Sequence, residues 1–160
     1  MNSIRIGDFI CDTLAKHRDK IALKENDQHI TYKALREKSI ELAEKIKSKK
    51  IQSDETAALL LPNSINYVII DLAVLFSGCT RVALNTMLSK KEIYYILKDC
   101  EATIIFIDKQ FLNVFKEIGD QLPNLRHIIV LGLDQNEESL SGKFISWEQF
   151  WNIKPQGHMN

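Results

Sequence analysis

The chain has 160 residues, 45% hydrophobic and 26% charged, with six glycines and three prolines, a composition that fits a folded domain and excludes disordered, collagen-like and solenoid architectures. Its 21 basic and 21 acidic residues balance, and the one short cluster, Lys47-Ser48-Lys49-Lys50, falls where a helix should end and cations oppose the dipole, so no nucleic-acid or anionic-membrane surface is expected. Cys11, Cys79 and Cys100 are odd in number and far apart, which suggests neither a disulfide framework nor a zinc site.

In chain order, Ile4 to His17 carries Ile6, Phe9, Ile10, Thr13 and Leu14 at helical spacing, predicting a first helix with that apolar face towards a core. Met1 to Asp8 has no apolar stretch of the signal-peptide kind, and reduced thiols fit a cytoplasmic protein. Ile21 to Lys24 and Gln28 to Thr31 are short extended runs around Glu25-Asn26-Asp27, a predicted hairpin. Thr31 is placed to cap a helix in which Leu35, Leu42, Ala43 and Ile46 form the inner stripe while Glu41 and Lys45 pair on the outer face, with an end near Lys49.

From there the pattern alternates. Strands are predicted at 56–61, 80–84, 103–107 and 127–131, and between them lie three crossover helices, Ser64 to Ser77, Lys90 to Lys98 and Gln110 to Gln121. A βαβαβαβ order gives an α/β fold with a mostly parallel sheet and right-handed crossovers. Ser89 and Glu92 form a capping box ahead of Ile93, Ile96, Leu97 and Cys100, and Gly78 stands where a helix C-cap belongs. The helix Ser64 to Ser77 is apolar nearly all round and is expected to be the most buried, covered on both sides; its core, Tyr67 to Phe76, is broken by Asp71 and is too short to span a membrane. Gly132 to Lys143 reads as a polar surface loop, Phe144-Ile145 as a short strand, and Ser146 as the cap of a helix Trp147 to Trp151, while Lys154 to Asn160 carries no structural signal.

None of the six glycines falls into a phosphate-loop or dinucleotide fingerprint, and His17, His29, His127 and His158 stand too far apart in sequence to suggest a metal site or a general base. No catalytic and no metal-binding residue is therefore assigned. In an open α/β sheet, ligands sit outside the carboxyl ends of the strands. That rule singles out Asn63, Ser64, Asn85 and Thr86, with Asp108 beside them, as strand-end positions to watch. Caps and turns account for the same residue types, and at a helix start Asn63 or Ser64 could also meet an anion through free N–H groups.

These segments resemble the opening region of the adenylate-forming superfamily, which includes acyl-CoA synthetases, aryl-CoA ligases, luciferases and peptide-synthetase adenylation domains. Ile30-Thr31-Tyr32-Lys33-Ala34-Leu35 is similar to the family's first core motif, and Ala57 to Tyr67, reading AALLLPNSINY, to the strand, proline and polar turn that follow. Leu72 to Asn85, reading LAVLFSGCTRVALN, resembles the second core motif, and Leu88 to Asp108 continues the scheme. Where the family usually has prolines, this chain has Ala83 and Thr86, which restores a backbone donor and frees φ, so the turn at Asn85 is expected to differ in shape.

The resemblance implies that the chain is the N-terminal part of a ligase that activates a carboxylate with ATP and Mg2+ and passes the acyl group to a thiol such as CoA. The family's phosphate loop, nucleotide stretch, ribose-binding aspartate and C-terminal lysine do not occur before Asn160. No cofactor is therefore expected on this span itself, and its role would be scaffolding, with the remainder of the ligase chain as partner and self-association through apolar surface left uncovered. Fatty, aryl and amino acid substrates all stay open, with Leu-Pro-Asn-Ser and Leu-Asn closer to the fatty-acyl and acyl-CoA branch. Two rivals are a free-standing non-catalytic interaction module of the same fold and an unrelated flavodoxin-like domain.

Overall fold

The computed structural model describes residues 6–133 and 140–153. Helix α1 (Ile6–Lys16) precedes a hairpin of β1 (Ile21–Glu25) and β2 (Gln28–Thr31), and then α2 (Tyr32–Ser48). The α/β series follows as β3 (Thr56–Leu60), α3 (Ile65–Ser77), β4 (Thr80–Ala83), α4 (Lys90–Asp99), β5 (Ile104–Asp108), α5 (Leu112–Ile118) and β6 (His127–Leu131). A last strand, β7 (Phe144–Ser146), leads into α6 (Trp147–Trp151).

The four expected strands lie parallel in one sheet, and β7 joins them as a fifth, also parallel, in the order β4-β3-β5-β6-β7. Because alternate residues of a strand face opposite ways, β3 sends Ala57 and Leu59 to one face and Ala58 and Leu60 to the other. α1, α2, α3 and α6 cover the first face, and α4 and α5 the second. Covered on both faces, β3, β5 and β6 are nearly continuous aliphatic runs, as a buried parallel sheet requires.

Local signals hold at most boundaries. Thr31, Ser64, Ser89 and Ser146 each accept the backbone N–H three residues on, Ser89 and Ser146 completing capping boxes with Glu92 and Gln149. Gly78 ends α3 with φ 86°, a left-handed conformation that costs glycine little.

Five expectations are corrected. In α1, Ile6 and Phe9 point to solvent, each 66% exposed, and the inward stripe is Gly7, Ile10 and Leu14. The cause is a close approach to α3, since a Cβ at Gly7 would lie 3.1 Å from the Leu75 carbonyl oxygen. Lys45 does pair with Glu41 at 3.2 Å, but it is only 4% exposed and donates to the Ile153 carbonyl at 2.9 Å beneath the last segment, so it does not lie on the outer face. The stretch 110–121 is not one helix: α5 is flanked by 3-10 turns at Lys109–Phe111 and Gly119–Gln121, the first capped by Asp108 and the second held by the Lys143 ammonium on the Gly119 and Leu122 carbonyls. Glu25 belongs to β1, leaving Asn26 at φ 51° to make the turn with Asp27. Finally, α3 is not covered all round: Ile69, Ile70, Ala73 and Val74 are buried, while Val68, Leu72, Leu75 and Phe76 are half-exposed. The loop 132–143 is described only at its two ends, and the tail 154–160 lies outside the described residues.

Candidate functional site

Numbered by appearance, the five strands stand second, first, third, fourth and fifth across the sheet. The chain leaves β3 through α3 on one face, then crosses to β5 through α4 on the other, so the strand order reverses between β3 and β5. A crevice opens at the carboxyl ends of strands where such a reversal occurs. Here its walls are the turns after β3 and β5, with the turn after β4 alongside.

The first wall is Pro62-Asn63-Ser64. Asn63 is exposed, and Ser64 is the N-cap of α3, its hydroxyl accepting from Tyr67 N at 3.0 Å. The N–H of Ile65 donates to Glu25 Oε2 at 2.7 Å, a carboxylate delivered from the hairpin 40 residues earlier. The anion this helix start attracts is thus one of the protein's own side chains. After β4, Asn85 is exposed and its Oδ1 accepts from Met87 N at 2.9 Å, while Leu88 N returns to the Asn85 carbonyl at 3.2 Å. Thr86 is half-buried inside that turn, which Asn85 closes without a proline. After β5, Asp108 Oδ1 accepts from Gln110 N at 3.0 Å. Gly132, at φ 78°, lets the chain after β6 pass beside this turn, since a Cβ there would sit 3.9 Å from Asp108 Oδ2.

Asn63, Ser64, Asn85, Thr86 and Asp108 are therefore gathered on one edge of the sheet, and Ser64, Asn85 and Asp108 each turn their side-chain oxygen to a neighbouring backbone N–H. This edge does not fit the phosphates of a nucleotide. Two N–H groups of the α3 start are committed to Glu25 and Ser64, and the carboxylate of Glu25 stands where a phosphate would have to approach. Among the described residues no group of three or more His, Cys, Asp or Glu side chains is placed to hold a metal ion.

The amino edge is built differently. Arg126 reaches from the start of β6 to Glu55 at 2.5 Å and to the Lys50 carbonyl at 3.5 Å. Its neighbour His127 bonds the Lys49 backbone, yet burial pushes the imidazole below its usual range, and the charges of Lys49 and Arg126 push it further. Thr103 N and Oγ1 both donate to the Thr56 carbonyl, joining β5 to β3. Burial likewise pushes the thiols of Cys79 and Cys100 up, the opposite of what a nucleophile needs. Cys11 on α1 accepts from Arg36 Nε at 3.1 Å. Sequence reading found none of these long-range partners, nor Glu25 at Ile65, because no local pattern marks them.

Together these features define a doubly wound parallel α/β segment with self-capped strand-end turns. The model of the family described as AMP-binding enzyme matches residues 11–156, and the chain belongs to that family. A 4-hydroxybenzoate--CoA/benzoate--CoA ligase of Rhodopseudomonas palustris is 28% identical over 126 residues, 78% of this chain and 23% of that one. A long-chain-fatty-acid--CoA ligase of Xenopus laevis is 27% identical over 158 residues, 94% of this chain and 21% of that one. Among solved structures, an anthranilate CoA ligase in complex with anthranoyl-AMP superposes with a TM-score of 0.78 at 28% identity, covering 86% of this chain and 27% of that one. Coronafacic acid ligase from Pectobacterium brasiliense reaches 0.84 at 18% identity, a likeness of fold alone. The chain spans less than a quarter of the length of the two curated relatives described. The flavodoxin-like strand order is thus present inside an AMP-binding enzyme, and the reading of an unrelated flavodoxin-like domain is set aside. No helix among the described residues is long and apolar enough to cross a membrane.

Proposed function

We propose that this chain is the N-terminal scaffold segment of an ATP-dependent carboxylate-activating ligase, forming one sheet layer and carrying no catalytic group of its own. The observation that carries the reading is the family match over residues 11–156 on a chain whose strand-end oxygens are turned into their own turns. The parent reaction would use ATP, Mg2+ and a thiol acceptor such as CoA in a cytoplasmic setting. The acyl substrate ranges over the aromatic and fatty acids named for the relatives. The remainder of the ligase chain is the proposed partner, and Met87 and Tyr95, 87% and 68% exposed, fit a surface meant to be covered.

The test is a graft, in which residues 11–153 replace the matching span of the Rhodopseudomonas palustris ligase. A folded chimera that keeps carboxylate-dependent ATP-pyrophosphate exchange with its host's substrates is the expected result. A folded chimera without exchange, or with altered substrate choice, would assign chemistry or selection to this span and overturn the scaffold reading. In parallel, ATP with Mg2+ should leave the melting temperature of the isolated chain unchanged, whereas occupancy at 100 times Kd would add about 2.7 kcal/mol.

A further inference from the structure

Ile6 and Phe9, three residues apart and each 66% exposed, share one outward flank of α1. Gly7 sits against the end of α3, where a Cβ would lie 3.4 Å from the Phe76 ring, so the apolar surface continues onto Leu75 and Phe76, both half-exposed. This patch lies on the sheet face opposite α4, which carries Tyr95. Charge is ordered along it by sign. Asp8 and Asp12 stand in the amino half of α1, and Lys16, Arg18 and Lys20 at its carboxyl end, all exposed, with Asp19 as the acid among them, 3.7 Å from Arg18. Asp8 and Lys16 suit the dipole of the helix itself, but Asp12 lies beyond its first turn and Arg18 and Lys20 beyond its end. The basic turn is also held in place, Lys33 N donating to the Arg18 carbonyl at 2.9 Å and Tyr32 N to the Lys20 carbonyl at 3.0 Å.

From this arrangement we infer that α1 pairs with α1 of a second copy of this chain, antiparallel about a two-fold axis, the acidic half of each facing the basic end of the other and Phe9 of both in the apolar seam. A two-fold contact sets one patch against itself, so the patch has to be its own complement. An antiparallel pair of α1 helices meets that condition, whereas a parallel pair would oppose acid to acid and cation to cation. An anionic lipid surface would require cations along the whole flank, which Asp8 and Asp12 deny it. The patch is small, so the pair belongs with the transient interfaces. It concerns a surface away from the strand-end turns and does not rest on the scaffold reading, and the graft can succeed or fail without it.

Analytical ultracentrifugation of the 160-residue chain should show a concentration-dependent dimer that loosens as salt is added. Phe9→Glu should weaken it about tenfold or more while the circular-dichroism spectrum and melting temperature stay as they were, because the side chain is exposed. Two charge-reversed chains test the ends. One carries Asp8→Lys and Asp12→Lys, the other Lys16→Glu, Arg18→Glu and Lys20→Glu. Each alone should be monomeric, with like charges meeting across the axis, and an equal mixture of the two should recover the dimer. A chain that stays monomeric up to about 1 mM leaves the patch to another segment of the parent ligase, and one that binds phosphatidylserine vesicles without dimerising leaves it to lipid. Either result overturns the pairing. So does a dimer undiminished by Phe9→Glu, a dimer that tightens with salt, or a mixture of folded charge-reversed chains that remains monomeric.

Discussion

The two edges of the sheet are stabilised in contrasting ways. At the carboxyl edge, Ser64, Asn85 and Asp108 each bond a backbone N–H two or three residues away, so each turn is complete within itself. At the amino edge, Arg126 crosses to Glu55 and Lys50, 71 and 76 residues away in sequence, and His127 leans on Lys49. One edge is a row of local caps; the other cross-links β6 to the end of α2 and to the approach to β3. A loop that satisfies itself can change without disturbing its neighbours, whereas a cross-linked edge moves as a unit.

The largest test of this contrast is its exception, Glu25, whose side chain makes a long-range bond at the carboxyl edge. Glu25→Ala leaves the half-buried Ile65 N–H without its partner and should cost about 1 to 3 kcal/mol in urea unfolding. A loss no greater than that of a surface substitution would mean that the hairpin and α3 are not coupled. Ser64→Ala, which removes a purely local cap from the same helix, should cost about 1 kcal/mol. The double variant should lose less than the sum, because both groups serve one helical turn.

Arg126→Ala should cost about 0.2 to 1 kcal/mol, since the pair is partly exposed, and the loss should shrink at high salt. His127 sharpens the same edge through pH. Its folded-state value lies below the ordinary imidazole range, so the unfolded chain binds the proton more readily. Its contribution is therefore complete above the unfolded value, about 6.5, and is lost as pH falls from there towards the lower folded value. His127→Gln should flatten that part of the stability-pH curve, and an unchanged slope would remove the histidine from the account. Smallest of all, Asn85→Ala at an exposed turn should stay within about 0.5 kcal/mol, which a calorimetric melt can bound.

Legibility in the sequence follows the same division. Ser89 with Glu92, Ser146 with Gln149, Thr31 ahead of Tyr32, and Gly78 after Ser77 act over three or four residues, and the sequence states them outright. The orientation of α1 depends on Gly7 meeting Leu75, and the inward turn of Lys45 depends on Ile153 arriving above it. Neither leaves a trace in the helix that carries it: by hydrophobic period alone Ile6 and Phe9 belong inside, and Lys45 one turn after Glu41 belongs outside. The strand-end residues were visible for the same reason the caps were, since Asn, Ser and Asp after a strand announce a turn. That Glu25 already fills the α3 start could be seen only once the hairpin was set beside it.

The strand order carries a consequence for how the chain is made. β3 is the first strand of the sheet to leave the ribosome, and both its neighbours come later: Thr56 waits for Thr80, and Ala57 for Ile104. Until β5 is complete, the run Ala57 to Leu61 has an open ladder on at least one side and only part of its apolar cover. Parallel pairings of this kind cannot form early, because the intervening helix must be synthesised first, and an exposed apolar edge in the interval invites pairing with another chain. A strand that is paired on both sides and covered on both faces in the folded molecule is therefore the one of this sheet that waits longest for its partners while the molecule is unfinished.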